Sequence, residues 1–118
     1  MRRIFSFAIL LLCTFGSQAS EVTQARLASG SRDLGLLLSA ARTTCGYSDE
    51  QLLGVNQLAG KIIGGDEERQ KAFDEGAKEG LSDYQKAVRL GRLNLQKASV
   101  CPGVAEGMKR LNQLNHSI

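Results

Sequence analysis

Residues 36–45 read LLLSAARTTC and join a leucine-rich helical face to the first of two widely spaced cysteines. The apolar residues around this stretch recur at the spacing of one helix face: Leu27, Leu34, Leu37, Leu38 and Ala41. We therefore predict a first helix from about Glu21 to Thr44. It should end at Cys45 because Gly46 follows, and glycine readily takes the left-handed conformation that terminates many helices.

The N-terminal residues have the three-part pattern of a secretory signal. A short positive region precedes a compact apolar run over residues 4–13, and Ser17 and Ala19 occupy the small-residue positions that signal peptidase reads. The apolar run is too short to cross a hydrocarbon layer of about 30 Å as a helix. We expect residues 1–19 to be removed and residues 20–118 to form a single domain in the periplasm of a Gram-negative cell.

Two other export signals remain as alternatives at the N-terminus. Arg2 and Arg3 resemble part of a twin-arginine pattern, but the strongly apolar run favours the general secretory route. Residues 10–13 resemble a lipoprotein box, although Leu12 is larger than the residue that usually precedes the acylated cysteine. A lipid anchor on Cys13 is therefore the minor alternative, and no stable membrane span is expected after signal cleavage.

Charge is nearly balanced once the signal is removed. The whole chain has a formal net charge of +3, but two arginines leave with the signal, so 13 lysines and arginines face 12 acids, a net charge of +1. This balance predicts neither nucleic acid nor an anionic membrane as a global partner. The remaining chain is small, and a domain of its size buries only roughly 60–65% of its unfolded surface. We expect its stability to need a crosslink.

Cys45 and Cys101 are the cysteines that the mature chain retains. Their separation fits no close-pair metal or redox motif, in which two to four residues lie between the cysteines. An oxidising compartment favours a disulfide between them, and free thiols are the alternative. Closing a loop of about 57 residues would stabilise the fold by roughly 4 kcal/mol in the chain-entropy model. That is comparable to the whole stability margin of a small domain.

The rest of the chain also has helical periodicity, and no stretch alternates as a strand would. Ser48 and Gln51 match a capping box at the start of a second helix, and glycines 64 and 65 end it. Asp66 should cap a third helix that continues to about Ser99. Pro102 is expected to start a short fourth helix, because proline is tolerated at the first helical position. The third helix carries its apolar residues at Phe73, Ala77, Leu81, Tyr84, Val88 and Leu95.

These elements predict an all-α fold, a small antiparallel bundle of three long helices plus a short C-terminal helix. In an up-down-up order the end of the first helix and the turn after the third lie at one pole, so Cys45 and Cys101 would meet there. Gly76 and Gly80 share a face of the third helix. We interpret them as a close helix contact that leaves no room for a side chain, with a soft helix that opens for a partner as the alternative.

The polar residues form no pattern typical of catalysis. His116 is the lone histidine and stands near the C-terminus, so the chain offers no histidine-based nucleophile pair and no metal triad. The acids at positions 66–68 suit a helix start, and the preceding glycines lack the Lys-Ser/Thr of a phosphate loop. We predict that the protein is not an enzyme and uses no metal or cofactor.

The order of these features resembles a group of short exported two-cysteine proteins of alphaproteobacteria, a family of undefined function. The likeness rests on the segment that ends at Cys45, on FDEG at residues 73–76 with Tyr84 downstream, and on an amphipathic tail from Cys101 to about Leu114. The chain lacks the tryptophan and histidine positions of some members. The resemblance implies an α-helical periplasmic protein and brings no catalytic residues.

Function is therefore expected to be protein–protein interaction, as an accessory or chaperone-like periplasmic factor. In size and class the chain is similar to small helical acid-stress chaperones of the periplasm. The alternative is an inhibitor or immunity-type protein that blocks a secreted target, and an enzyme is less favoured. The possible partner-binding residues are Leu52, Val55, Leu58, Ile62, Arg89, Arg92, Val104, Met108 and Leu111, of which the apolar ones could instead form the core.

Overall fold

The computed structural model describes residues 26–118 of the 118-residue chain. Within that range the chain forms four α-helices and no strand. Helix α1 is described over residues 26–43, followed by α2 at Asp49–Ile63, α3 at Glu67–Arg89 and α4 at Leu93–Ser117. The all-α prediction is confirmed. The predicted signal, with Cys13, lies outside the described residues.

The predicted disulfide is present. Cys45 and Cys101 are bonded, with their Cα atoms 5.7 Å apart and a separation of 56 positions in sequence. The bond connects the segment after α1 to the interior of α4. The pairing is therefore confirmed, but the expected position of Cys101 in a turn between two helices is wrong.

Three predicted helix boundaries are confirmed by their caps. The Ser48 hydroxyl accepts from the backbone N–H of Gln51 at 3.2 Å, and the Gln51 side chain accepts from the N–H of Ser48 at 2.9 Å. Gly64 ends α2 in the left-handed conformation with φ 55°. The Asp66 carboxylate accepts from the N–H of Arg69 at 3.0 Å and caps α3.

The end of α3 differs from the prediction. The helix stops at Arg89 instead of continuing to about Ser99. Gly91 has φ 68°, and the N–H of Arg92 donates to the carbonyl of Ala87 at 2.8 Å, as in a Schellman motif. The predicted helix runs through Gly91 because apolar residues on both sides of it continue the helical pattern.

The fourth helix is long, and Pro102 lies in its interior. The predicted short helix beginning at Pro102 is therefore wrong, since α4 has 25 residues. An interior proline removes one intrahelical hydrogen bond and crowds the preceding turn. The helix continues through it because its neighbours are held on both sides: Cys101 by the disulfide, and Val104 by burial in the core at 4% exposure.

The core lies between α1, α2 and α4. Its buried residues are Leu34, Leu38, Ala41, Leu52, Val55, Ala59, Val104 and Met108. Helix α3 buries only Gly76, Gly80 and Ala87, and it touches α2 only sparsely. The third helix therefore lies beside the core and contributes little to it.

Helices α1 and α3 approach closely at three glycines, which we call the glycine seam: Gly35, Gly76 and Gly80. A Cβ added at Gly35 or Gly76 would collide with a backbone carbonyl oxygen of the opposite helix. One added at Gly80 would lie 2.7 Å from the Cβ of Ser39 in α1. The interpretation of Gly76 and Gly80 as a close helix contact is confirmed. Later residues of α3 contact later residues of α1, so the two helices run parallel, as the up-down-up order predicts.

Removing the disulfide should lower stability strongly. We expect Cys45→Ser to cost about 4 kcal/mol, because the unfolded chain loses the closed loop. For a domain of roughly 100 residues this lowers Tm by roughly 15–30 °C, measured by circular dichroism. Cys101→Ser should have the same effect, and the double variant should add little. An unchanged Tm together with alkylation of both thiols in the native wild type would contradict this prediction.

Substitution in the glycine seam should destabilise the fold, whereas a matched glycine elsewhere should not. Gly76→Ala forces a Cβ against backbone and should lower the free energy of unfolding by about 1–2 kcal/mol, despite the better helix propensity of alanine. Gly60 lies inside α2 with nothing within 4 Å of an added Cβ. Gly60→Ala should raise stability by up to about 1 kcal/mol in urea denaturation. Similar changes for both variants would show that α1 and α3 are not in close contact.

Candidate functional site

Most of the predicted partner-binding residues lie inside the protein. Those that are buried or half-buried against the core are Leu52, Val55, Leu58, Ile62, Val104, Met108 and Leu111. The α2 residues among them include three side chains with 0% exposure. In the folded protein these faces form the core, as the alternative allowed, and a partner could reach them only if the helices separated.

The two predicted basic residues lie at the surface near the turn between α3 and α4. Arg89 is the last residue of α3, and Arg92 is the N-cap of α4. Ser39 lies beside Gly80, so the end of α1 at residue 43 is level with about residue 84 of α3. Residues 84–100 therefore extend beyond the end of α1 as a pair of helix ends, which we call the distal hairpin.

An open groove runs between α2 and α3, with α1 as its floor. Its apolar half has a volume of about 450 Å³ and is lined by Leu38, Phe73, Ala77 and Leu81, with Arg42 and Lys78 also in the lining. Asn56 supplies the opposite wall from α2. Leu81 is 42% exposed although it belongs to the apolar face of α3. We call this cleft and its continuation the interhelical groove.

The groove continues toward the connection between α2 and α3, where its lining becomes charged. This half has a volume of about 640 Å³ and shares Lys78 with the apolar half. Its walls include Gly60 and Ile63 from α2. The acids that line it are Asp66, Glu67, Asp74 and Glu75. The result is an elongated surface with one apolar end and one acidic end.

The groove exists because of how α3 is attached. The glycine seam fixes α3 against α1 by backbone contact, and the exposed ion pair between Arg32 and Glu79 spans the same seam. Helix α3 touches α2 only sparsely, so the two helices stay apart beyond their connection. Along α3 the lined residues extend from Glu67 to Leu81, a distance of about 21 Å at 1.5 Å per residue.

The part of the chain that the structure describes forms neither a metal-binding cluster nor a membrane-spanning helix. Across residues 26–118 no group of three or more histidines, cysteines or acids could hold a metal ion. No helix of the described region is both long and apolar enough to cross a bilayer. His116 is exposed in the last turn of α4.

The buried polar side chains of Ser31 and Asn115 have hydrogen-bond partners within the fold. The Ser31 hydroxyl donates to the carbonyl of Leu27 at 2.7 Å. Asn115 accepts from the Lys61 ammonium at 2.9 Å and donates to the Gln57 side-chain oxygen at 3.3 Å. The bonds of Asn115 join α2 to α4 and the bond of Ser31 lies within α1, so their role is structural.

Comparisons with protein families, with curated proteins and with solved structures find no match to this chain. The resemblance to exported two-cysteine proteins therefore stays a prediction, and any function must be argued from the surfaces described above.

Sequence reasoning found the apolar residues of the groove on α3 but did not recognise them as a candidate site. Phe73, Ala77 and Leu81 were grouped as one apolar stripe of the third helix. One signal could have distinguished these residues from the core. Helix α1 already faces α2 and α4, so no second helix remains to cover the apolar stripe of α3.

Proposed function

We propose that this chain is a non-catalytic exported protein that binds a segment of another protein, as an accessory or chaperone-like factor of the periplasm. The observation that supports the proposal is the interhelical groove, whose apolar half is open to solvent in the folded protein. Surfaces that combine an apolar floor with charged margins are typical of protein interaction sites. The groove replaces the core faces as the contact surface.

The dimensions of the groove suit an amphipathic helix of the partner. A length of about 21 Å accommodates roughly four helical turns at 5.4 Å each. Partner side chains at i, i+3, i+4 and i+7 would pack on Phe73, Ala77 and Leu81, as in other helix-in-groove complexes. Binding would cover the apolar surface of α3 that the fold itself leaves exposed.

The charges of the groove define the polarity of the partner. Four carboxylates and two lysines, Lys71 and Lys78, line the end near the connection between α2 and α3. The excess of two negative charges favours lysine or arginine there. The apolar end carries Arg42 and Lys78 and favours an acidic or neutral group. The partner we propose is a leucine-rich amphipathic helix with a basic end.

The chemistry of the lining supports binding over catalysis. The lining residues include no histidine and no cysteine. The Thr43 hydroxyl donates to the backbone carbonyl of Ser39 at 2.7 Å, so its proton is engaged within α1. The remaining polar groups are the side chains of Ser39, Asn56 and Gln70 and the lysine, arginine, aspartate and glutamate side chains, which supply charge and hydrogen bonds for recognition.

Compartment is part of the proposal. The disulfide is typical of proteins that fold outside the cytoplasm. The positive, apolar and small-residue order of the first nineteen residues supports the general secretory route and hence the periplasm.

The test compares two exposed leucines, one inside the groove and one outside it. The ligand is a synthetic amphipathic helix with leucines on one face and lysines at one end, and binding is followed by fluorescence anisotropy. Leu81→Ser should weaken binding about fivefold or more, because apolar contact is lost. Leu53 is 56% exposed on α2 and does not line the groove, so Leu53→Ser should bind like the wild type.

A second pair of variants tests the charge pattern. Asp74→Asn with Glu75→Gln should weaken the lysine-ended peptide and leave a glutamine-ended peptide unaffected. Equal affinity in all variants, or failure to bind any peptide or unfolded client, would reject the proposal. Tight one-to-one capture of a single folded target without client binding would favour the inhibitor or immunity-type alternative instead.

A further inference from the structure

The distal hairpin concentrates positive charge. Among residues 84–100 there are four cations and no acid: Lys86, Arg89, Arg92 and Lys97. All four are exposed, and the described part of the chain offers none of them an ion pair or a side-chain hydrogen bond. The nearest acid in sequence is Asp83, one residue before the hairpin. In the rest of residues 26–118, eleven acids face nine lysines and arginines, so the two signs of charge are segregated.

Aliphatic side chains are exposed in the same place. Val88 is 49% exposed, Leu90 51% and Leu95 70%. They are exposed because α3 and α4 continue past the end of α1, so α1 no longer covers them. Three aliphatic side chains among four cations form one amphipathic end of the molecule.

The stability of the fold does not account for this composition. Lys86 and Arg89 suit the negative end of the α3 dipole, but Arg92 occupies the N-cap of α4, where the dipole favours an acid. Helix α4 also has no side-chain cap and no acid in its first turn. A leucine at 70% exposure follows at position 95. Local rules broken together at one place are typical of functional surfaces.

We infer that the distal hairpin docks the protein on an anionic lipid surface. Lysines and arginines beside exposed aliphatic side chains are the pattern of elements that lie in the headgroup region of a bilayer. The cations would pair with lipid phosphates, and Val88, Leu90 and Leu95 would enter the boundary with the acyl chains. The inference is independent of the proposed function, because the interhelical groove involves none of residues 84–100.

The test is flotation of the exported, disulfide-bonded protein with lipid vesicles. Vesicles of equal parts phosphatidylglycerol and phosphatidylcholine should carry the protein, and vesicles of phosphatidylcholine alone should not. Raising NaCl from 50 to 500 mM should release it, because salt screens the attraction. Arg89→Gln with Arg92→Gln should lower the partition coefficient about tenfold or more. Leu95→Ser should lower it as well, through the loss of apolar contact.

The matched control removes two cations far from the hairpin. Lys109 and Arg110 are exposed near the other end of α4, and Arg110 pairs with Glu106 at 2.8 Å. Lys109→Gln with Arg110→Gln gives the same net charge as the hairpin variant and should bind vesicles within twofold of the wild type. Leu81→Ser should also float normally, which separates this inference from the groove.

Three outcomes would overturn the inference: no flotation with anionic vesicles, equal loss in both double variants, or salt-sensitive binding of the hairpin to an acidic protein but not to vesicles. Thermal unfolding of each variant, followed by circular dichroism, checks that loss of binding does not reflect loss of the fold.

Discussion

The disulfide between Cys45 and Cys101 is the constraint on which the rest of the structure depends, because it fixes the end of α1 against one point of α4. C-terminal to that point α4 enters the core with Val104 and Met108. N-terminal to it Val100 still packs against the core, and the preceding residues continue past the end of α1. Pro102 lies at the division and weakens the helix there. The crosslink on one side and core burial on the other offset that weakness, so one helix serves both the core and the distal hairpin.

Helix α3 is held by a different kind of contact. Two of its three buried residues are glycines of the seam, so its attachment to α1 depends on close backbone approach more than on apolar side chains. Close approach brings dispersion contacts and excludes water along a narrow line, but it covers little of the surface on either side. The apolar stripe of α3 therefore stays partly open, and the interhelical groove is the direct consequence.

Local sequence rules predicted the parts of this fold that depend on a few neighbouring residues. The capping box at Ser48, the cap at Asp66 and the left-handed Gly64 are confirmed, and so is the disulfide, which was predicted from two cysteines that follow an expected export signal. The end of α3 was missed because Val88 and Leu95 continue the apolar stripe across Gly91, and periodicity alone does not predict a Schellman turn. The site was missed because a stripe shows which residues share a face, but not whether another helix covers that face. The nearly balanced net charge likewise gave no indication that four cations are concentrated in residues 84–100.

The burial of the predicted binding faces makes it costly for the protein to bind a partner by opening its core. Exposing the side chains of Leu52, Val55 and Leu58 would cost about 1.5–3 kcal/mol each, since all three have 0% exposure. The sum approaches the entire stability margin of 5–15 kcal/mol that is usual for a small domain. A mechanism that opens the core would therefore need either a rare state or a large input of binding energy. The groove and the hairpin present apolar side chains and charge without any opening, so contact through them leaves the crosslinked core intact.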